Sequence, residues 1–103
     1  MTDEELLTEL DTMVRAATRA DGGAITAIAL AFGLTLHTEA REELGPRFEQ
    51  DAADVLQEFF LGLAEGDRYV MPRIRGAAIP WMKRTVREIA RRFVAEQEPP
   101  EAA

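Results

Sequence analysis

Residues 51–93 read DAADVLQEFFLGLAEGDRYVMPRIRGAAIPWMKRTVREIARRF, two helical periods separated by a break. In the first, Val55, Leu56, Phe59, Phe60 and Leu63 recur at spacings of three and four, which gathers them on one side of a helix. Asp51 stands at the expected start, with Asp54 at the N3 position where a capping-box acceptor belongs. Gly66 is the expected stop. Residues 66–79 carry Gly66, Pro72 and Gly76 without a sustained period and read as a loop. Pro80 suits the first turn of the next helix, because the N–H it lacks has no intrahelical acceptor there. Met82, Val86, Ile89, Ala90, Phe93 and Val94 line one face of that helix, and Lys83, Arg84, Arg87 and Arg91 line another.

Upstream, residues 3–20 have the pattern of an amphipathic helix, with Leu6, Leu10, Met13, Val14 and Ala17 at helical spacing. Thr2 or Asp3 can cap its first amides, and Glu4 and Glu5 suit the positive end of the dipole. Asp21-Gly22-Gly23 is expected to break it. Residues 24–44 follow as a second helix, apolar nearly all round from Ala24 to Leu36 and charged from Glu39 to Glu43. A helix apolar on every side is usually buried, so this one is expected at the centre of the bundle. Gly45-Pro46 ends it. No strand-like alternation or internal repeat interrupts the pattern. The expected fold is therefore all-α, a bundle of three to four helices.

The chain has 103 residues, 47% of them hydrophobic, which supports one small core and leaves no room for a second ordinary domain. The expected organisation is one helical domain over residues 1–96 and a disordered, acidic, Pro-rich tail over residues 97–103. Without cysteine there is no disulfide or thiolate metal site, which fits a reducing compartment. His37 is the single histidine, so His-based metal and catalytic constellations are not expected. No nucleophile–base pair or phosphate-cradling glycine loop is present either, so neither an enzyme nor a cofactor is expected. The longest apolar run, Ala24 to Leu36, falls short of the ~18 residues of a membrane span. A soluble, cytoplasmic protein is the expectation.

The net charge is −7, but the charges are segregated. Residues 1–66 hold 14 acidic and 4 basic side chains, whereas residues 68–93 hold 8 basic ones and Glu88 as their one acid. Such asymmetry implies two faces for unlike partners. Asp54, Gln57 and Glu58 share one polar face at i, i+3, i+4. They read either as ordinary helix-start and surface residues or as a patch for basic side chains on another protein. Arg75, Lys83, Arg84, Arg87 and Arg91 read either as a solvated face, with Glu88 pairing to Arg84 or Arg92, or as a phosphate-tracking surface. Trp81 and Tyr69 read as core-edge aromatics or as base-stacking platforms.

DAADVLQEFF resembles the acidic helix of region 2 of bacterial sigma factors of the extracytoplasmic-function type, whose pattern is roughly D-A-E-D-[LV]-[VI]-Q-E-x-[FV]. RGAAIPWMKRTVREIA is similar to the same region's basic segment, R-G-S-F-R-A-W-L-x-R-I-A-R-N-x-A, with Arg75, Gly76, Trp81, Arg84, Arg87 and Ala90 in register. The departures are Ala53 for an acid, Ala78 for an aromatic, Pro80 for a small helix former and Glu88 for an amide. The resemblance covers somewhat under half the chain and includes no helix-turn-helix region 4. It implies a sigma region-2-like fold in which Asp54, Gln57 and Glu58 contact the β′ subunit of core RNA polymerase. It also implies that Arg75, Trp81, Lys83, Arg84, Arg87 and Arg91 face promoter −10 DNA, with a partner protein supplying the −35 contact. The alternative is a degenerate sigma-like adaptor, or a decoy for an anti-sigma factor, acting through protein contacts alone. A third reading is an antitoxin-like protein that neutralises a basic partner.

Overall fold

The computed structural model describes residues 2–74 and 76–98. Four helices follow one another: α1 (Asp3–Ala17), α2 (Gly22–Leu44), α3 (Ala52–Glu65) and α4 (Ala78–Gln97). A 3-10 turn, Glu49–Asp51, leads into α3. The fold is an all-α bundle of four helices.

The caps explain where the helices begin and end. Thr2 accepts from the Glu5 amide and starts α1. α1 stops at Ala17 rather than running to residue 20, and Ala20 takes a left-handed conformation with φ of 65°. Asp21 does not break a helix so much as begin one: its carboxylate accepts from the Ala24 amide, and Gly22 and Gly23 form the first turn of α2. Asp51 makes no side-chain capping bond, because the 3-10 turn already brings the backbone into α3. Gly66, left-handed at φ 81°, closes α3 as expected.

α4 starts two residues before Pro80, and the reason lies in another helix. Its N-cap, Ala77, makes no side-chain cap bond. The amide of Ala78 instead donates to the carboxylate of Asp11 in α1, at 3.2 Å. Asp11 is buried and also accepts from Arg15 Nε at 2.8 Å, while Arg15 Nη2 donates to the Ile74 carbonyl at 3.3 Å. α1 thus anchors both the loop before α4 and its first turn. At the other end α4 reaches Gln97, one residue into the expected tail, and residues 99–103 lie outside the described residues.

The core is built from the predicted stripes of α3 and α4. Val55, Phe59 and Leu63 pack with Met82, Val86, Ile89 and Ala90, and α1 and α2 add Val14, Ala17, Ile28 and Leu36. Leu56, Phe60, Phe93 and Val94 are half-buried at its margin. Two expectations are corrected. Leu6 is 46% exposed, so the apolar face of α1 is not covered in its first turns. α2 is not a buried central helix: Ile28, Leu36, Ala40 and Leu44 face inward, but Leu30 and Leu34 are 84% and 83% exposed. Among the described residues α2 is also one helix long and apolar enough to cross a membrane, with mean hydropathy 1.3 over the best 18-residue window. Counting an uninterrupted apolar run missed this, because Thr and Gly hardly lower the average.

Candidate functional site

Asp54, Gln57 and Glu58 project from α3 into solvent, opposite the buried Val55 and Phe59. Helical spacing places them on one face, as the sequence predicts. Among the described residues Glu58 has one neighbour of opposite charge, Arg92 of α4 at 3.9 Å, with both side chains about half exposed or more. Among the described residues Asp54 and Gln57 form no side-chain hydrogen bond or ion pair, so the patch presents an unengaged carboxylate and amide. Such groups accept and donate to a basic partner without first breaking an internal contact.

The basic helix is differently placed. α2 and α4 run side by side in the same direction, and the acidic last turns of α2 lie against the cations of α4. Glu39 accepts from Arg87 Nε, and Glu43 accepts from Arg91 Nε one turn further on. Lys83 Nζ lies 4.0 Å from Glu39, and Arg87 Nη2 lies 3.8 Å from Glu42. Glu39 is the most covered of these carboxylates, with its side chain 14% exposed. Three of the candidate nucleic-acid contacts, Lys83, Arg87 and Arg91, are therefore engaged within the chain. Arg84 is exposed and shares a shallow groove with Pro80, Lys83, Arg87 and Glu39. Arg75 lies outside the described residues.

Trp81 is 7% exposed and belongs to an aromatic cluster in the core. Its ring centroid lies 6.2 Å from that of Phe59 and 5.6 Å from that of Tyr69, the latter pair edge-on. Tyr69 and Phe59 are 5.7 Å apart. As folded, Trp81 offers no open face on which a base stacks. Gly62 admits the Tyr69 ring to the surface of α3, where a Cβ would meet it at 2.6 Å. Burial pushes the Tyr69 phenol above its ordinary value, and a hydrogen bond with the Arg68 side chain pulls the other way.

The Asp11 cap and the Glu39–Glu43 ladder both escape the sequence reading. The run of acids at the end of α2 is visible, and Glu39 and Glu43 repeat at the same four-residue spacing as Arg87 and Arg91. Only the parallel docking of α2 on α4 turns that coincidence into contact. Among the described residues no group of three or more His, Asp or Glu side chains is placed to hold a metal ion. Compared with family models, with characterised proteins and with solved structures, the chain finds no significant match.

Proposed function

We propose that this chain is a sigma region-2-like docking protein of the cytoplasm that binds core RNA polymerase through α3. The reading rests on the DAADVLQEFF pattern, and the observation that carries it is the exposure of Asp54, Gln57 and Glu58 on one face. A carboxylate–amide–carboxylate face suits the basic side chains of a helical clamp, where charge complementarity sets register and on-rate. In this reading α4 turns toward promoter −10 DNA, with Arg84 as an exposed cation that no described carboxylate engages, and a partner protein supplies the −35 contact. The test is a pull-down with core polymerase. Wild type is expected to be retained, and Asp54→Ala combined with Gln57→Ala is expected to be lost. Absence of retention, or retention unchanged in the variant, overturns the proposal.

A second reading is an adaptor or anti-sigma decoy that works through protein contacts alone. The engagement of Lys83, Arg87 and Arg91 by α2 favours it, as does the burial of Trp81. A fluorescent single-stranded −10 oligonucleotide separates the two. A DNA-facing α4 gives binding that weakens with salt and with Arg84→Ala. The adaptor gives none.

A further inference from the structure

α2 carries on its open side a seam that the rest of the described chain covers only in part: Leu30 and Leu34 are exposed, Ala27 and His37 are half-buried, and Arg41 lies 3.5 Å from Glu49. Gly23, Ala27, Leu30, Leu34, His37 and Arg41 follow at spacings of four, three, four, three and four. That is the repeat by which one helix meets another along its length. Leu30 and Leu34, the most exposed of the large apolar residues on the helices, sit at its middle. The flanking Thr26, Ala31, Gly33 and Thr38 are small and uncharged, so a second helix can approach closely. From Gly22 to Thr38 there is no Asp, Glu, Lys or Arg.

The seam is graded, with small residues at its N-terminal end and large ones at its C-terminal end. A second copy laid parallel would set Gly23 against Gly23 and Arg41 against Arg41, a void at one end and like charges at the other. Laid antiparallel about a two-fold axis beside Phe32, it sets Leu30 against the partner's Leu34. The same axis sets Ala27 against the partner's His37 and Gly23 against the partner's Arg41. The two leucines then meet at the centre, and on either side a small residue faces a large one, which is the self-complementarity a two-fold interface requires. The geometry points to an antiparallel homodimer formed through this seam of α2.

Charge restricts where two copies can meet. Each copy carries −7, so approach of a second copy is resisted over most of the surface. The seam is the stretch where the copies meet without ionised side chains until Arg41. A lipid surface is the competing occupant, since α2 has the length and hydropathy of a membrane span. Ile28, Leu36, Ala40 and Leu44 are buried against the other helices, however, so α2 does not span a bilayer while the bundle is folded, and between Gly22 and Thr38 there is no Lys, Arg, Trp or Tyr to hold it along a lipid surface. The seam runs about 27 Å. An antiparallel pair of that length with its flanks covers on the order of 1,000 Å² in total, the lower limit for a specific interface. The dimer therefore exchanges with monomer and is not obligate. None of Asp54, Gln57, Glu58 or α4 takes part, so the dimer stands or falls apart from polymerase binding.

Sedimentation velocity of the full chain over a concentration series tests it. The mass is expected to rise from 11.5 kDa toward twice that value, and added salt is expected to strengthen association by screening the repulsion between copies. Leu34→Glu, at an exposed position, is expected to stay monomeric with unchanged helical circular dichroism. Because the chain has no cysteine, orientation is read directly by mixing Leu30→Cys with Leu34→Cys under oxidation. The mixed disulfide is expected to exceed either symmetric one. A chain monomeric throughout the series overturns the proposal, and co-sedimentation of that monomer with phosphatidylglycerol vesicles would assign the face to lipid. Dimerisation that survives Leu34→Glu, or an excess of symmetric disulfides, overturns it as well.

Discussion

At Gly62 a hydrogen stands where any other residue would place a methyl group against the Tyr69 ring. The clash falls on both the ring carbons and the phenol oxygen, so it cannot be relieved by a small rotation of the ring. Gly62→Ala is expected to destabilise the fold by about 1–3 kcal/mol, as overpacking does elsewhere. The measurement is a lower urea midpoint at unchanged slope. Tyr69 adds a pH dependence. Its folded pKa is raised by burial, so its contribution to stability is fully present below the unfolded phenol value near 10 and is lost as pH rises through the folded value. Stability is therefore expected to decline above about pH 10. Tyr69→Phe, which removes the titrating group, is expected to flatten that part of the decline in an alkaline denaturation series.

At the scale of elements, the parallel step of α2 and α4 decides what the basic helix can do. Glu39 and Glu43 meet Arg87 and Arg91 one turn apart, which leaves those cations less available to phosphate. Glu39→Gln with Glu43→Gln is expected to cost about 1 kcal/mol per pair, because the carboxylates are largely covered while the arginine ends stay in solvent. The same variant is expected to bind a single-stranded oligonucleotide more tightly than wild type, with a steeper salt dependence, by fluorescence anisotropy. Unchanged affinity would mean that the ladder does not govern access to α4. Helix existence and type are legible in the sequence at α3 and α4, where apolar stripes are sharp. Boundaries fail where a distant group sets them: Ala78 joins α4 because Asp11 receives its amide, which no local window reveals. α2 fails for a different reason. Its Ala24–Leu36 stretch is apolar on all sides, but three other helices of this length cover only part of its circumference.

For the whole molecule, segregated charge is the property that the sequence conveys most directly and also most misleadingly. The −10 of the first 66 residues and the +7 of residues 68–93 suggest two free faces. In the fold a share of the two cancels internally through Glu39, Glu42 and Glu43. The acidic patch of α3 is legible because it depends on one helix alone, whereas the state of Lys83, Arg87 and Arg91 depends on how two helices dock. The bond from Ala78 to Asp11 has a consequence for how the chain acquires its structure. It spans 67 residues, and a contact so remote in sequence forms only after the intervening helices have collapsed. The first turn of α4 is then among the last parts to lock. Asp11→Ala is expected to accelerate unfolding while leaving the refolding rate nearly unchanged, a φ-value close to zero in stopped-flow chevrons.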